Sequence, residues 1–237
     1  ENENEPLIKL DMSNAKMREE GWQEFFKYVQ SMKVSLRLGT IKWRSNPLHK
    51  VFFLFLQKCP NLASITFDGC FKSNDPLLSL CVAYLSQTSQ RIRRFSCAGT
   101  TRKWLGSEGS KVIIQILETN KTITHVNLSN NRSGRQMFVD LAQILNRNMN
   151  VKSIQIDGND VTTLITYKKF FTSLRSRRQA LMVNWPESEM NDMLQYGTAN
   201  KEMVKFVRKL YDDVIMGTYQ EELNENDDKS SSSSLPV

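Results

Sequence analysis

The stretch that decides the fold runs from Ile123 to Asn131 and reads Ile-Thr-His-Val-Asn-Leu-Ser-Asn-Asn. Its first, fourth and sixth residues are apolar, and its ninth is asparagine. The same spacing returns from Val151 to Asn159, which reads Val-Lys-Ser-Ile-Gln-Ile-Asp-Gly-Asn and begins 28 residues later. A motif that returns at a fixed period of this length is the signature of a solenoid, in which each unit packs mainly against its neighbours. The chain is therefore predicted to consist of stacked repeats.

Extending the apolar triplet in both directions predicts seven strands, about 28 residues apart, with a helix in each intervening segment. The triplets are Leu7, Leu10 and Met12; Lys33, Leu36 and Leu38; Leu62, Ile65 and Phe67; Ile92, Phe95 and Cys97; Ile123, Val126 and Leu128; Val151, Ile154 and Ile156; and Arg178, Leu181 and Val183. The predicted fold is α/β: a leucine-rich-repeat solenoid, or horseshoe, with a parallel inner sheet, outer helices and a C-terminal helical cap.

The pattern divides the chain into three parts. Residues 1–184 carry about six to seven repeats, and residues 185–219 contain two amphipathic stretches that we interpret as the cap. Residues 220–237 are acidic and then rich in serine, a composition that predicts disorder. Because the first triplet begins at Leu7 with no polar capping helix before it, we expect further chain, a partner or a second copy to cover that end.

Asparagines stand at the same place after two of the strands, at Asn131 and Asn159. Their side-chain amides are predicted to satisfy backbone groups where the chain leaves the strand, forming a structural ladder. Asn46 and Asp75, each followed by proline, instead indicate helix starts, because asparagine and aspartate cap helices and proline is accepted in the first turn.

The candidate binding site is the inner face of the sheet, the extended concave surface that solenoids use for binding. Residues between the apolar positions point to that face, and they are polar and mixed in charge. The candidates are Arg37, Thr66, Asp68, Arg94, Ser96, His125, Asn127, Gln155 and Asp157. Among them, Arg37, Arg94 and His125 form a mildly basic path.

An alternative site is the loop of residues 99–110, which makes its repeat the longest. Insertions in repeat proteins gather on one face and often bind. The residues that would bind there are Arg102, Lys103 and Trp104.

No catalytic residue, cofactor or metal site is predicted. A pairing of His125 with Ser153 or Asp157 is interpreted as a chance meeting of polar residues rather than as a nucleophile with its base. Motifs of nucleotide-binding and zinc enzymes are missing from the sequence. The four cysteines match no zinc spacing and are predicted to be free, buried thiols; they are Cys59, Cys70, Cys81 and Cys97.

The net charge of +7 is spread over short basic clusters. These clusters lack the interleaved aromatic residues of a nucleic-acid stacking platform, which disfavours a nucleic-acid partner. No apolar run approaches the roughly 20 residues of a transmembrane helix, and the acidic, polar start is unlike a signal peptide. The chain is therefore predicted to be cytoplasmic, without a transmembrane segment.

The stretch from residue 7 to about residue 190 resembles the ribonuclease-inhibitor-like class of leucine-rich repeats. The resemblance rests on the fifth and sixth triplets with Asn131 and Asn159, and on the helix-end phrase that runs from Glu118 to Leu128. That phrase is similar to those in tropomodulin, NOD-like receptors and the CARMIL family of actin-regulating scaffolds. The chain most resembles a CARMIL-like or protist cytoplasmic scaffold, and this resemblance implies the repeat fold and a connection to actin.

The predicted function is a non-enzymatic scaffold for protein–protein interaction, linked to the cytoskeleton, whose protein partner the sequence does not identify. The open first repeat also allows self-association. Two alternatives stay open: the repeat module of a larger sensor or inhibitor protein, and a basic surface that binds RNA or acidic lipid. The second alternative predicts binding that weakens steeply with salt.

Overall fold

The computed structural model describes residues 8–15, 17–86, 91–177, 179 and 181–231, with side chains up to residue 216. Strands and helices alternate along the chain. The strands are β1 (Ile8–Asp11), β2 (Leu38–Lys42), β3 (Ser64–Thr66), β4 (Arg94–Ser96), β5 (His125–Asn127), β6 (Ser153–Gln155) and β7 (Met182–Val183). The helices are α1 (Glu19–Ser31), α2 (Lys50–Gln57), α3 (Leu78–Ser86), α4 (Gly106–Thr119), α5 (Gly134–Arg147), α6 (Leu164–Leu174), α7 (Glu187–Gln195) and α8 (Lys201–Ser231).

The strands form one parallel sheet whose spatial order, β1 to β7, is the order of the sequence. One helix lies in each connection between neighbouring strands, from α1 to α6. Parallel strands added one after another, each with its own crossover helix, make a solenoid and not a closed barrel. The prediction of a leucine-rich-repeat solenoid with an inner sheet and outer helices is confirmed.

The core is the layer between sheet and helices. The middle residue of each strand points into it, and register aligns these residues as Leu10, Ile41, Ile65, Phe95, Val126, Ile154 and Val183. All of them from Ile41 onward are buried. Near β2 the layer is filled by aromatic rings, among which Trp22 and Trp43 lie 4.5 Å apart between centroids. Burial of each such side chain contributes roughly 1.5–3 kcal/mol.

The triplet predicted for the second repeat is wrong. Strand β2 pairs Ile41 with Ile65, so the second triplet is Leu38, Ile41 and Trp43 and not Lys33, Leu36 and Leu38. The error arises because a tryptophan fills the third place, where an aliphatic side chain is usual, and because Leu38 also suits the wrong alignment. The shift moves Arg37 off the inner face.

The seventh triplet is also displaced. Strand β7 pairs Val183 with Ile154, so Val183 holds the middle place of its repeat and not the third. Leu181 is buried, as predicted for an apolar position. Leu7 and Arg178, the first members of the first and seventh triplets, lie outside the described residues.

A helical cap covers the end of the sheet beyond β7. Tyr211 of α8 donates a hydrogen bond to the carbonyl of Val183 over 3.0 Å, and its ring meets those of Phe171 and Trp185 edge-on. Helix α8 runs to Ser231, past residue 219, while the division into repeats, cap and tail stays a prediction. In the part of the chain that the structure describes, no helix has the length and apolar character to cross a membrane.

Candidate binding surface

A ladder of side chains holds the turns that follow the strands. The Asn131 amide nitrogen donates to the carbonyls of Cys97 (2.8 Å) and Leu128 (3.1 Å), and its oxygen accepts from the Leu105 backbone N–H (3.0 Å). Asn159 is the next rung: it donates to Leu128 and Ile156, and it accepts from the Asn131 backbone. These bonds link neighbouring repeats and therefore fix the spacing of the inner face.

Two further residues belong to the same ladder. Asn46 donates from its amide to the Met12 carbonyl over 2.6 Å, and the Cys70 thiol donates to the Trp43 carbonyl over 2.8 Å. The prediction that Asn46 starts a helix is therefore wrong, because α2 begins at Lys50. The Asn46 side chain instead hydrogen-bonds the backbone just after β1, in the preceding repeat.

Glu189 of α7 terminates the ladder. Its carboxylate accepts hydrogen bonds from the backbone N–H groups of Gly158 (2.8 Å) and Asn159. The side chain is only 4% exposed, and burial, with Asp157 nearby, raises the pKa of Glu189 to about 7. Sequence reasoning missed this residue, because the cap supplies it from outside the repeat pattern.

Register arranges the inner face in two rows. The first row is Lys9, Thr40, Ser64, Arg94, His125, Ser153 and Met182. The second row is Asp11, Lys42, Thr66, Ser96, Asn127 and Gln155. Six of the nine predicted site residues stand in these rows, but Thr66 is 8% exposed and offers little surface. Arg37 lies one residue before β2, half-buried, and its carbonyl accepts from Ile8 in the neighbouring strand.

The two predicted acidic residues beyond the strand ends are engaged within the protein. Asp68 accepts hydrogen bonds from the Ser96 hydroxyl (2.5 Å) and the Ala98 backbone (3.0 Å), and its second oxygen lies 3.2 Å from Arg44. Asp157 accepts from the hydroxyl and backbone of Ser188. Burial acts to raise the pKa of Asp157, but hydrogen bonds with Glu189 and then Ser188 outweigh it and hold this pKa below its ordinary value. The negative charge of Asp68 is therefore offset by Arg44, whereas Asp157 keeps its charge and is bound to Ser188 of the cap.

Arg94 and Lys152 have no such partners in the part of the chain that the structure describes. Arg94 lies beside His125 in register, and Lys152 directly precedes β6. Arg94 and Lys152 are exposed, and within the described residues neither forms an ion pair. Desolvation, and then the positive charges of Arg94 and Lys152, lower the pKa of His125. We call Arg94, His125 and Lys152 the basic row, although Lys152 lies one residue before Ser153, which is the partner of His125 in register. Lys152 was not among the predicted site residues.

The three residues of the alternative loop differ in their surroundings. Trp104 is half-buried beneath Arg132, whose guanidinium carbon lies 3.9 Å from the ring centroid, while Arg102 is exposed in a turn held by Thr100. Arg132 also lines a cavity of about 830 Å³ between the loops and α7, which Arg102, Lys103 and Trp104 do not line. Helix α4 begins at Gly106, so the loop ends before residue 110.

His125 lies partly buried on strand β5. Its Nδ1 lies 2.8 Å from the Thr124 hydroxyl. The four cysteines are free and buried. Across the described ranges, no three His, Cys, Asp or Glu side chains are grouped to hold a metal ion.

No protein-family model matches the chain, and no curated protein matches it. Among solved structures, the chain is similar to one described as "Leiomodin-1 Actin-Binding Site 2 (ABS2)". The TM-score is 0.52 at 14% sequence identity, over 72% of this chain and 90% of the other. At this identity the likeness concerns the fold, and it agrees with the repeat architecture described above.

Proposed function

We propose that this chain is a non-enzymatic scaffold that binds a protein partner through the basic row on its inner sheet. The observation that carries the proposal is the imbalance of charge on that face. The carboxylate of Asp68 is paired with Arg44 and that of Asp157 is hydrogen-bonded to Ser188 of the cap, whereas Arg94 and Lys152 form no ion pair within the described residues. A surface of this kind attracts a partner that supplies the missing negative charge.

The partner segment that suits the basic row is acidic and polar. None of the exposed aromatic residues of the described chain, such as Tyr28 and Tyr196, lies in the two inner rows. A large aromatic anchor, the usual source of tight binding, is therefore not supplied by this face. We expect association to depend on electrostatic attraction, with fast binding that weakens as salt screens the charges.

Actin is the first partner to test. The similar structure carries an actin-binding site by its own description, and the helix-end phrase from Glu118 to Leu128 resembles that of actin-regulating scaffolds. Both observations support the choice of actin, and the fold would suit other protein partners equally well. We further propose the ribonuclease-inhibitor-like class, because each of the first six repeats carries a helix of its own.

Cytoplasmic location and self-association belong to the same proposal. Free, buried cysteines are typical of a reducing compartment. In the first described repeat, Ile8 of β1, Tyr28 of α1 and Val34 after α1 are exposed, and a second copy would bury them.

The test is co-sedimentation with actin filaments, together with binding to labelled actin monomer. We compare the wild-type chain with R94E/K152E, which reverses the basic row. The matched control is K27E/K111E, which makes the same charge change at exposed lysines of α1 and α4. We expect the dissociation constant to rise by about tenfold or more in R94E/K152E, about 1.4 kcal/mol per factor of ten, and to stay within about twofold in the control.

Each outcome bears on a different part of the proposal. If the wild-type chain binds neither form of actin, actin is not the partner. If it binds and both double variants bind equally, the basic row is not the binding surface. If binding falls equally in both variants, the interaction follows net charge, and the alternative of a general basic surface for RNA or acidic lipid replaces the scaffold.

A further inference from the structure

The outer face of the last repeats carries a strip of exposed apolar side chains. Helix α6 exposes 51% of Ile165, α5 exposes 44% of Val139, and α8 exposes 46% of Met203 and 49% of Phe206. Single exposed apolar residues are normal on any protein surface. Four large ones on three adjacent helices form a continuous patch, and patches of this kind mark interaction sites.

The strip contains depressions that together could hold a helix. A depression of about 410 Å³ between α5 and α6 is lined by Val139, Ala142 and Ile165 among others. A second one, of about 450 Å³ between α6 and α8, is lined by Ile165, Met203 and Phe206 with the buried Val207. Ile165 lines both, so it forms the ridge between them. An amphipathic helix binds such a groove with apolar residues at positions i, i+3, i+4 and i+7.

Positive charge borders the strip on the same helices. Arg135 and Lys169 line the first depression and Lys168 the second, where its ammonium nitrogen lies 5.2 Å from the centroid of Phe206. Within the described residues none of the three forms an ion pair. The acidic residue that lines the second depression, Glu202, is held 2.8 Å from Lys205.

We propose that this strip docks an amphipathic helix of a protein partner, with an apolar face and with aspartate or glutamate on its flanks. The apolar face would cover Val139, Ile165, Met203 and Phe206, and the acidic flanks would meet Arg135, Lys168 and Lys169. A basic helix would bring like charges together, and a nucleic acid would leave the apolar strip uncovered. This surface lies on the outer helices and is separate from the inner sheet, so the scaffold would have a second binding surface.

The test starts from displayed random peptides of about 16 residues, long enough for roughly four helical turns. Wild-type protein is the bait, and peptides that also bind I165S/F206S are removed. Both positions are half exposed, so serine there leaves the core intact; thermal unfolding verifies this. The proposal predicts peptides with apolar residues at i, i+3, i+4 and i+7 and with acidic flanks.

Affinity of the leading peptide is then measured by fluorescence anisotropy. We expect K168E/K169E and I165S/F206S each to weaken binding by about tenfold or more. Two controls, L54S on the exposed face of α2 and K27E/K111E, are expected to change it by less than about twofold. The proposal is overturned if no peptide depends on Ile165 and Phe206, if the enriched flanks are neutral or basic, or if K168E/K169E binds as well as the wild type.

Discussion

After several of the strands, one side chain bridges two neighbouring repeats. Asn131 is the clearest example, because three backbone groups depend on its amide: the carbonyls of Cys97 and Leu128 and the N–H of Leu105. Asn131 is itself buried, so water has no access to replace these bonds. A residue with this role acts on the whole sheet, since it sets the distance from one strand to the next.

Asn131→Ala is expected to lower the free energy of unfolding by about 1–3 kcal/mol, because it leaves buried backbone groups without partners. The measurement is urea denaturation followed by circular dichroism. Asn191→Ala, at an exposed asparagine of α7, is the matched control and should change the free energy by less than about 0.5 kcal/mol. Equal effects of the two substitutions would contradict the role of the ladder.

Gly99 is a residue whose place tolerates no side chain. A β-carbon there would lie 1.9 Å from the carbonyl oxygen of Asn130 in the next repeat, whereas one at Gly134 would meet nothing within 4 Å. Gly99→Ala is therefore expected to destabilise the protein more than Gly134→Ala, which carries only the roughly 1–2 kcal/mol strain of a left-handed residue. The measurement is the melting temperature of each variant in thermal unfolding. A lower melting temperature for Gly134→Ala than for Gly99→Ala would show that the turn at Gly99 shifts to make room for a side chain.

The roles of single residues were predictable where they followed the repeat. Asn131 and Asn159 stand at a position that the motif itself marks. Glu189 also bonds the backbone of a neighbouring repeat, but it belongs to the cap, to which the repeat motif does not apply. Lys152 was missed because it lies one residue outside the predicted inner positions. Asn46 was misinterpreted because an asparagine before a proline is also a helix-start signal, and only the tertiary contact with Met12 distinguishes the two.

Among the elements, the short helix α7 closes the repeat array through a buried carboxylate. Glu189 accepts two backbone N–H groups from the turn after β6, and Ser188 binds the neighbouring Asp157. The pKa of Glu189 is about 7, above its ordinary value of 4.5, because burial disfavours the charged form and Asp157 lies close. The docking of α7 onto the last repeats is therefore coupled to proton binding.

A group whose pKa is raised by folding stabilises the folded state when it is protonated. The contribution of Glu189 is full below about pH 4.5 and is lost as the pH rises through about 7. Urea denaturation between pH 5.5 and 8 is expected to show the wild-type chain losing on the order of 1–3 kcal/mol relative to Glu189→Gln. His125 is present in both proteins, so its titration cancels in the difference. Parallel pH profiles of the two proteins would contradict the assignment.

The register of individual strands was harder to predict than their existence. All seven strands were expected, but β2 and β7 were misaligned, and these are the repeats in which Trp43 and Trp185 replace the usual aliphatic residue in the third place. Because β2 was misaligned, Arg37 was wrongly included among the predicted site residues. Strand pairing, which joins residues far apart in the sequence, decides the register; the local pattern does not.

Apolar side chains are exposed in the first repeat of the part of the chain that the structure describes. They are Ile8 of β1, Tyr28 of α1 and Val34, which follows α1. Exposed apolar side chains of this kind favour contact with another chain. They support the proposal that two copies associate through their first repeats.

Sedimentation velocity over a range of concentrations tests this association. The wild-type chain is expected to show a concentration-dependent dimer, and Y28E/V34E is expected to stay monomeric, because buried charges would oppose the contact. Y196E, at an exposed tyrosine near the other end, is the control and should dimerise like the wild type. A wild-type chain that is monomeric at all concentrations, or a dimer that survives Y28E/V34E, would contradict association through the first repeat.

The central claim is that the inner sheet of the solenoid binds a protein through the basic row. The most direct measurement is affinity capture from cell lysate with quantitative mass spectrometry, using wild-type chain, R94E/K152E and K27E/K111E as three baits of verified fold. The account predicts a protein that the wild type and K27E/K111E retain equally and that R94E/K152E loses by about tenfold or more. A partner retained by R94E/K152E as strongly as by the wild type would contradict the account and move the binding surface away from the inner sheet.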